Sequence, residues 1–428
     1  MKNLYISMLA LGSLYLLPVA DNNISASYAA EPVKQSVKVP AMRNRVYAQL
    51  ARAQQLADES TKQAGLEVLD EVKNRIDSLN SYEKAMLWNF YGFMYYSNED
   101  LDSAIESFEK VIAEVAIPEP LRLSTLYSLA QLSMQQQKYS ETLAYLKQWQ
   151  QVNTKELTGD QHILFAQVYY QDKQFAPSLA AINKAIDEAL LKNKLPKENW
   201  LILQRANYYE LKQPKKVTEV LEALVKYYEK PEYWLQLSGM YGEIGQEDKQ
   251  LAAMETAWQA GYVTKPQDII TLAQLYRFNG VPYKAATLLN DAISEGKVVA
   301  NERNYEMLAQ SFLAAKNDKE AIPALIKASE ITDSGKFDAQ LAQAYLNTEK
   351  WHLAIKSADS ALKRGGIDRE GDMHLVIGMS YFNLEQFEQS LEALKDAQQI
   401  ASSAKVASQW YKYVKREQVQ HAQLAMLN

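Results

Sequence analysis

The sequence predicts an all-α chain: a right-handed superhelical solenoid of about nine helix hairpins with capping helices at its ends. Three observations predict it. A pattern of small and large apolar residues recurs every 33 to 39 residues between Ser81 and residue 402, and periods of that length belong to stacked repeat arrays. Gly and Pro number only 15 and 12 in 428 residues, about half their usual ~7% and ~5%, which argues against all-β and collagen-like chains. The apolar positions are spaced three and four apart, as a helix face requires.

The elements follow in chain order. Residues 1–29 read as an export signal, with Lys2 ahead of an apolar run from Leu4 to Ala20 and small residues from Ser25 to Ala30 suited to cleavage near Ala29. An uncleaved anchor is the competing reading, since this mostly apolar run approaches the ~20 residues that span a bilayer, but Pro18 and Asp21, followed by the small residues, favour cleavage. In a bacterium such a signal sends the mature chain to the periplasm or beyond. Residues 30–41, with Pro32 and Pro40 and no periodicity, form an extended leader. Residues 42–80 hold two helices (Val46, Leu50, Ala53, then Leu66, Leu69, Val72, Ile76) that read as a degenerate repeat capping the array.

Residues 81–402 carry nine copies of the pattern. The first-helix position that favours a small residue falls at Gly92, Ala130, Ala166, Arg205, Ser238, Ala273, Ala309, Ala342 and Gly378, and all but Arg205 are small. A second small position opens the second helix (Ala104, Thr142, Ser178, Ala285, Ala321, Ala354, Ser390), and a third (Ala185, Ala257, Ala292, Ala328, Ala361, Ala397) admits the following repeat. Small residues let antiparallel helices approach, and neighbours such as Tyr95, Phe108, Ile182, Tyr276, Leu289 and Leu394 fill the seam. The fourth copy departs furthest, with Arg205, Val217 and Leu224 where small residues are expected, and its spacing of 39 predicts a longer loop near residues 195–199 and a bend there. Residues 403–428, with Trp410, Tyr413 and Val414 on one stripe, read as a solvating C-terminal helix.

This pattern resembles the tetratricopeptide repeat, best seen in Trp88-x-x-Tyr91-Gly92-x-x-Tyr95 followed by Leu101-x-x-Ala104-x-x-x-Phe108. The resemblance implies helix hairpins that hold protein partners in a groove lined by first helices. A narrower likeness runs from about residue 230 to 415, in Ala260-Gly261-Tyr262, Leu272-Ala273-Gln274-Leu275-Tyr276, Gly280-Val281-Pro282-Tyr283-Lys284-Ala285-Ala286 and Ala361-Leu362-Lys363-Arg364-Gly365-Gly366. These runs are similar to periplasmic tetratricopeptide proteins that accompany TonB–ExbB–ExbD systems. That resemblance implies an accessory to energised uptake across the outer membrane, with TonB, ExbB or ExbD components or a TonB-dependent receptor as partners. A scaffold for outer-membrane or cell-wall assembly is the alternative role.

Chemistry-bearing constellations are scarce. Cys is absent, which excludes disulfides, thiolate zinc sites and cysteine nucleophiles. His162, His352, His374 and His421 are far apart, and no phosphate loop, H-E-x-x-H or G-x-S-x-G is present. The sequence therefore predicts no enzyme, no cofactor, no metal and no small-molecule substrate. A net charge of −6, spread along the chain, gives no reason to expect nucleic acid. Lys363-Arg364-Gly365-Gly366 fits a helix C-cap better than an anion site.

The candidate partner-binding residues lie on the first helices. The residue after the small position is Gln131, Gln167, Gln274, Gln310 and Gln343 in five of nine copies, a row of amides that both donate and accept and so suit an extended peptide backbone. Phe93, Tyr96, Tyr127, Met134, Tyr170 and Tyr209 share that face in the first four copies, aromatic and Met side chains being enriched at interfaces. In the later copies the face carries Arg277, Arg303 and Lys336, which suit a carboxylate or an acidic segment.

Overall fold

The computed structural model describes residues 38–59 and 61–427, and among them every regular element is helical. Two N-terminal helices, α1 (Asn44–Glu59) and α2 (Lys62–Lys73), precede nine hairpins. Their first helices are α3 (Ser81–Ser97), α5 (Glu119–Gln135), α7 (Gly159–Gln171), α9 (Glu198–Glu210), α11 (Pro231–Glu243), α13 (Pro266–Phe278), α15 (Glu302–Ala314), α17 (Lys336–Asn347) and α19 (Glu370–Asn383). The second helices are α4 (Leu101–Ala113), α6 (Tyr139–Val152), α8 (Phe175–Leu191), α10 (Pro214–Tyr228), α12 (Glu247–Gln259), α14 (Pro282–Ser294), α16 (Asp318–Ile331), α18 (Trp351–Arg364) and α20 (Phe387–Gln399), followed by α21 (Ala404–Leu427). The predicted all-α tetratricopeptide solenoid is the fold observed. The chain divides into two compact units, residues 1–155 and 156–428. The predicted signal and the leader up to residue 37 lie outside the described residues.

One backbone device makes every hairpin. Seven residues after each first-helix small position, the chain adopts a left-handed conformation, at Glu99, Gln137, Lys173, Lys212, Gly245, Gly280, Lys316, Glu349 and Glu385. The next residue's N–H then reaches back to the carbonyl five residues earlier, as in Asp100 to Tyr95 (3.0 Å), Gln174 to Tyr169 (2.8 Å) and Lys350 to Tyr345 (2.9 Å). This is a Schellman C-cap, which satisfies carbonyls left open at the helix end. Only two of the nine left-handed residues are Gly, so seven turns hold an ordinary side chain where it costs about 1–2 kcal/mol. Packing on both sides of the turn holds it there.

The packing residues stand where the sequence placed them. Ala104, Thr142, Ser178, Ala285, Ala321, Ala354 and Ser390 are buried, as are the six alanines of the third position. Sixteen residues after the first small position a large apolar side chain fills the seam in eight of nine hairpins, Phe108, Leu146, Ile182, Leu221, Met254, Leu289, Leu325 and Leu394, all buried. Each stabilises the fold by about 2 kcal/mol. Gly92 and Gly378 are glycine because a Cβ would lie 2.6 Å from the Phe108 ring and 2.8 Å from Leu394. Where the second helix opens with serine, its hydroxyl donates across the same close contact, Ser178 Oγ to the Ala166 carbonyl and Ser390 Oγ to that of Gly378, each at 2.7 Å.

The fourth copy corrects one expectation. The extra residues lengthen α8 to 17 residues, and the connection that follows spans only 192–197. Its Ala- and Leu-rich sequence keeps winding as helix because these are strong helix formers. α9 is an unbroken helix in which Arg205 is partly buried and donates to Gln236 Oε1.

The first unit is closed at its start by a buried carboxylate. Glu83, fully buried, accepts from Arg43 Nε (2.8 Å), Nη2 (2.6 Å) and backbone N–H (2.9 Å), and from the Asn80 N–H that completes its capping box (3.0 Å). In the second unit, Arg364 folds back from the end of α18 onto Asp338 Oδ2 (2.6 Å) and Ser329 Oγ (2.8 Å). Gly365 and Gly366 follow with positive φ, the C-cap arrangement expected from the sequence. Phe382 meets Trp410 and Tyr413 at 6.1 and 5.3 Å, seating α21 on the last hairpin.

Candidate partner-binding faces

The candidate residues occupy the first helices of both units, and each unit has its own face. In the first unit, Phe93 is 37% exposed and sets its edge on Phe108 (5.3 Å, 81°). Tyr127 is half-buried against Trp149 (6.0 Å), and burial raises its phenol pKa. Met134 and Tyr96 are half-buried, and Gln131 is exposed. In the second unit, Tyr170 turns its edge to Phe175 (5.6 Å, 62°) and burial raises its pKa too. Tyr209, 65% exposed, stands out from α9.

The rings thus contact the second helix of their own hairpin: α3 to α4, α5 to α6, α7 to α8. Such a ring presents one side outward and uses the other to lock the hairpin. The geometry is an edge-to-face or tilted pair worth about 0.5–1.5 kcal/mol beyond its burial.

Among the amides of the second unit, Gln274 and Gln343 are exposed, while Gln167 and Gln310 are half-buried. Gln310 is engaged on both ends. Its oxygen accepts from Arg277 Nη2 at 3.3 Å and its Nε2 donates to Glu306 Oε1 at 3.2 Å. Lys336 sits between Glu302 (2.7 Å) and Glu306 (3.4 Å), and those carboxylates, Glu302 first, raise its pKa. Arg277, Gln310, Glu306 and Lys336 therefore form one chain of contacts across α13, α15 and α17. This corrects the expectation that Lys336 awaits an external carboxylate, since the protein supplies two of its own. Arg303 is exposed at the start of α15.

Sequence reasoning missed Glu302 and Glu306, because acidic residues on amphipathic helices are ordinary solvated positions until a neighbouring repeat places a lysine beside them. It also missed Phe278, 68% exposed at the end of α13 next to Arg277. Among the described residues, no group of His, Cys, Asp or Glu side chains is arranged to hold a metal ion. No helix among them is long and apolar enough to cross a membrane.

Family models of the tetratricopeptide repeat match residues 85–113 and 340–405. The chain carries tetratricopeptide repeats. The first match covers most of α3 with α4, the second most of α17 with α18 to α20 and the start of α21. Comparison with curated proteins finds no match. Among solved structures, the chain is similar to YrrB, a tetratricopeptide repeat protein with an unusual peptide-binding site (17% identity, 45% of this chain and 96% of that one, TM-score 0.36). It is also similar to the Cut9–Hcn1 hetero-tetramer of the APC/C (13%, 87% and 84%, TM-score 0.29) and to a tetratricopeptide repeat protein from Parabacteroides merdae (15%, 70% and 99%, TM-score 0.29).

Proposed function

We propose that this protein is an adaptor whose tetratricopeptide first-helix faces bind protein partners. Tetratricopeptide repeats generally serve as protein-interaction scaffolds, and the observation that carries the reading here is the set of outward side chains. Tyr209, Phe278, Gln274 and Gln343 are exposed on three first helices of one unit, α9, α13 and α17. An exposed aromatic offers large contact area at low entropic cost, and exposed amides can pair with the backbone of an extended segment.

We further propose that the protein works in the periplasm as an accessory to TonB-dependent uptake. The export signal read from residues 1–29 and the residue runs between about 230 and 415 support this. Transducers of that kind span the periplasm with extended segments, which such faces suit. Crosslinking in intact cells with a C-terminally tagged protein, followed by mass spectrometry, tests it. Recovery of a TonB, ExbB or ExbD homologue or of a TonB-dependent receptor is expected. Recovery of cell-wall or outer-membrane assembly factors alone would overturn the uptake role and leave the adaptor role standing.

A further inference from the structure

A cleft of ≈ 280 Å³ lies in the second unit between α12, α13 and α14, on a surface built largely by second helices and separate from the candidate faces. Its floor is apolar: Tyr276, Leu288 and Ala292 line it and are all buried. Trp258, half-buried, stands along one side, and the charged groups of α14 and of the residues just after it form the rim. The volume is below the ~300–1,000 Å³ of ordinary small-molecule sites, a size for one side chain.

The rim charges decide what kind of side chain. Lys284 is engaged by Glu255 at 2.7 Å, which also accepts from the Tyr276 hydroxyl at 3.1 Å. Lys297 is engaged by Glu295 at 2.6 Å. Among the described residues, the Asp291 carboxylate accepts only a 3.4 Å contact from the neighbouring Asn290 amide and forms no ion pair. Both lysines therefore have carboxylate partners, and one carboxylate at the rim is left to be neutralised by a cation from outside.

We infer that this cleft takes a guanidinium side chain from a protein partner, its plane against the Trp258 indole and its donors on the Asp291 carboxylate. A flat, weakly hydrated cation suits an aromatic wall better than a compact ammonium does. It also pairs two donors with one carboxylate in a fixed geometry. Arginine meets both demands, and the aliphatic stem would cover Leu288 and Ala292.

The test titrates the full chain with acetyl-Gly-Arg-Gly-amide and with its citrulline counterpart, uncharged and of nearly the same shape. The indole N–H resonance of Trp258, assigned from Trp258→Phe, reports the cleft directly. The arginine peptide should shift that resonance and the citrulline peptide should not. Asp291→Asn, an exposed change that leaves the fold intact, should weaken the arginine peptide by about two- to fivefold. An unmoved Trp258 resonance, an equal response to citrulline, or an unchanged affinity in Asp291→Asn would each overturn the assignment.

Discussion

The aromatic stretch from α3 to α9 and the polar stretch from α13 to α17 present the same helix positions to the outside but hold them in opposite ways. Phe93, Tyr127 and Tyr170 spend their inner sides on the second helix of their own hairpin. Arg277, Gln310, Glu306 and Lys336 reach from one first helix to the next. Aromatic contacts therefore stiffen single repeats, whereas the polar chain ties successive repeats together. Each stretch also adjoins a strong ion pair, Arg43–Glu83 beside α3 and Arg364–Asp338 at α17. The burial of those pairs sets the largest expected difference.

Glu83 is fully buried, and its bonds from Arg43 pull its carboxyl down to about 2. Because the folded value lies below the unfolded one, its stabilisation is complete above about pH 4.5 and disappears as pH falls towards 2. The displacement corresponds to about 3 kcal/mol. Glu83→Gln should cost the first unit a similar amount, read as faster hydrogen exchange in α3 and as loss of that acid dependence. Asp338→Asn should cost about 2 kcal/mol at the start of α17, because Arg364 is about a third exposed and can regain water. Equal costs would erase the distinction between a buried and a half-solvated anchor.

The first small position gives the next contrast. Gly92→Ala must displace the Phe108 ring, and it should cost about 2 kcal/mol by overpacking. Ala309→Gly, at the same register in the polar stretch, removes only a methyl and adds backbone freedom, for about 1 kcal/mol. Urea midpoints of the two variants, read by exchange in α3 and α15, measure both.

Much of this was legible in the sequence, and the reason is physical. Close helix approach restricts residue size at fixed spacing, so Gly92, Ala104, Ala166, Ile182 and Gly378 carry their packing role in their identity. The turns were not legible in the same way. Seven of the nine left-handed residues are Glu, Gln or Lys, types with no preference for that conformation, and tertiary packing alone puts them there. The Arg43–Glu83 pair joins residues 40 apart through an unremarkable arginine. On the candidate faces, helical spacing put Tyr170 and Tyr209 in one class, and only the position of Phe175 separates a ring locked into its hairpin from one that stands free.

That separation predicts different phenotypes for one substitution. Tyr209→Ala should leave the unfolding transition where it is and weaken the crosslinked partner by about tenfold, the loss expected when an exposed aromatic anchor is removed from an interface. Tyr170→Ala should lower stability by about 1 kcal/mol through the lost contact with Phe175, with its binding defect no larger than that of Tyr209→Ala. Calorimetry of both variants with and without the partner would decide. A Tyr209 variant that binds normally would move the site off the aromatic stretch.

The smallest effect concerns the polar chain. Lys336→Met removes a cation that is more than a third exposed, so the stability lost is expected below about 1 kcal/mol and should fade in high salt. Its more telling consequence lies at Gln310. With Lys336 gone, Glu306 keeps only the amide of Gln310 as a partner on this face, and the chain from α13 to α17 ends one repeat early. Amide exchange in α17 should then rise while that in α13 stays constant. If neither rises, the repeats are coupled through their apolar seams alone, and the polar contacts are a solvated surface with no part in tying the first helices together.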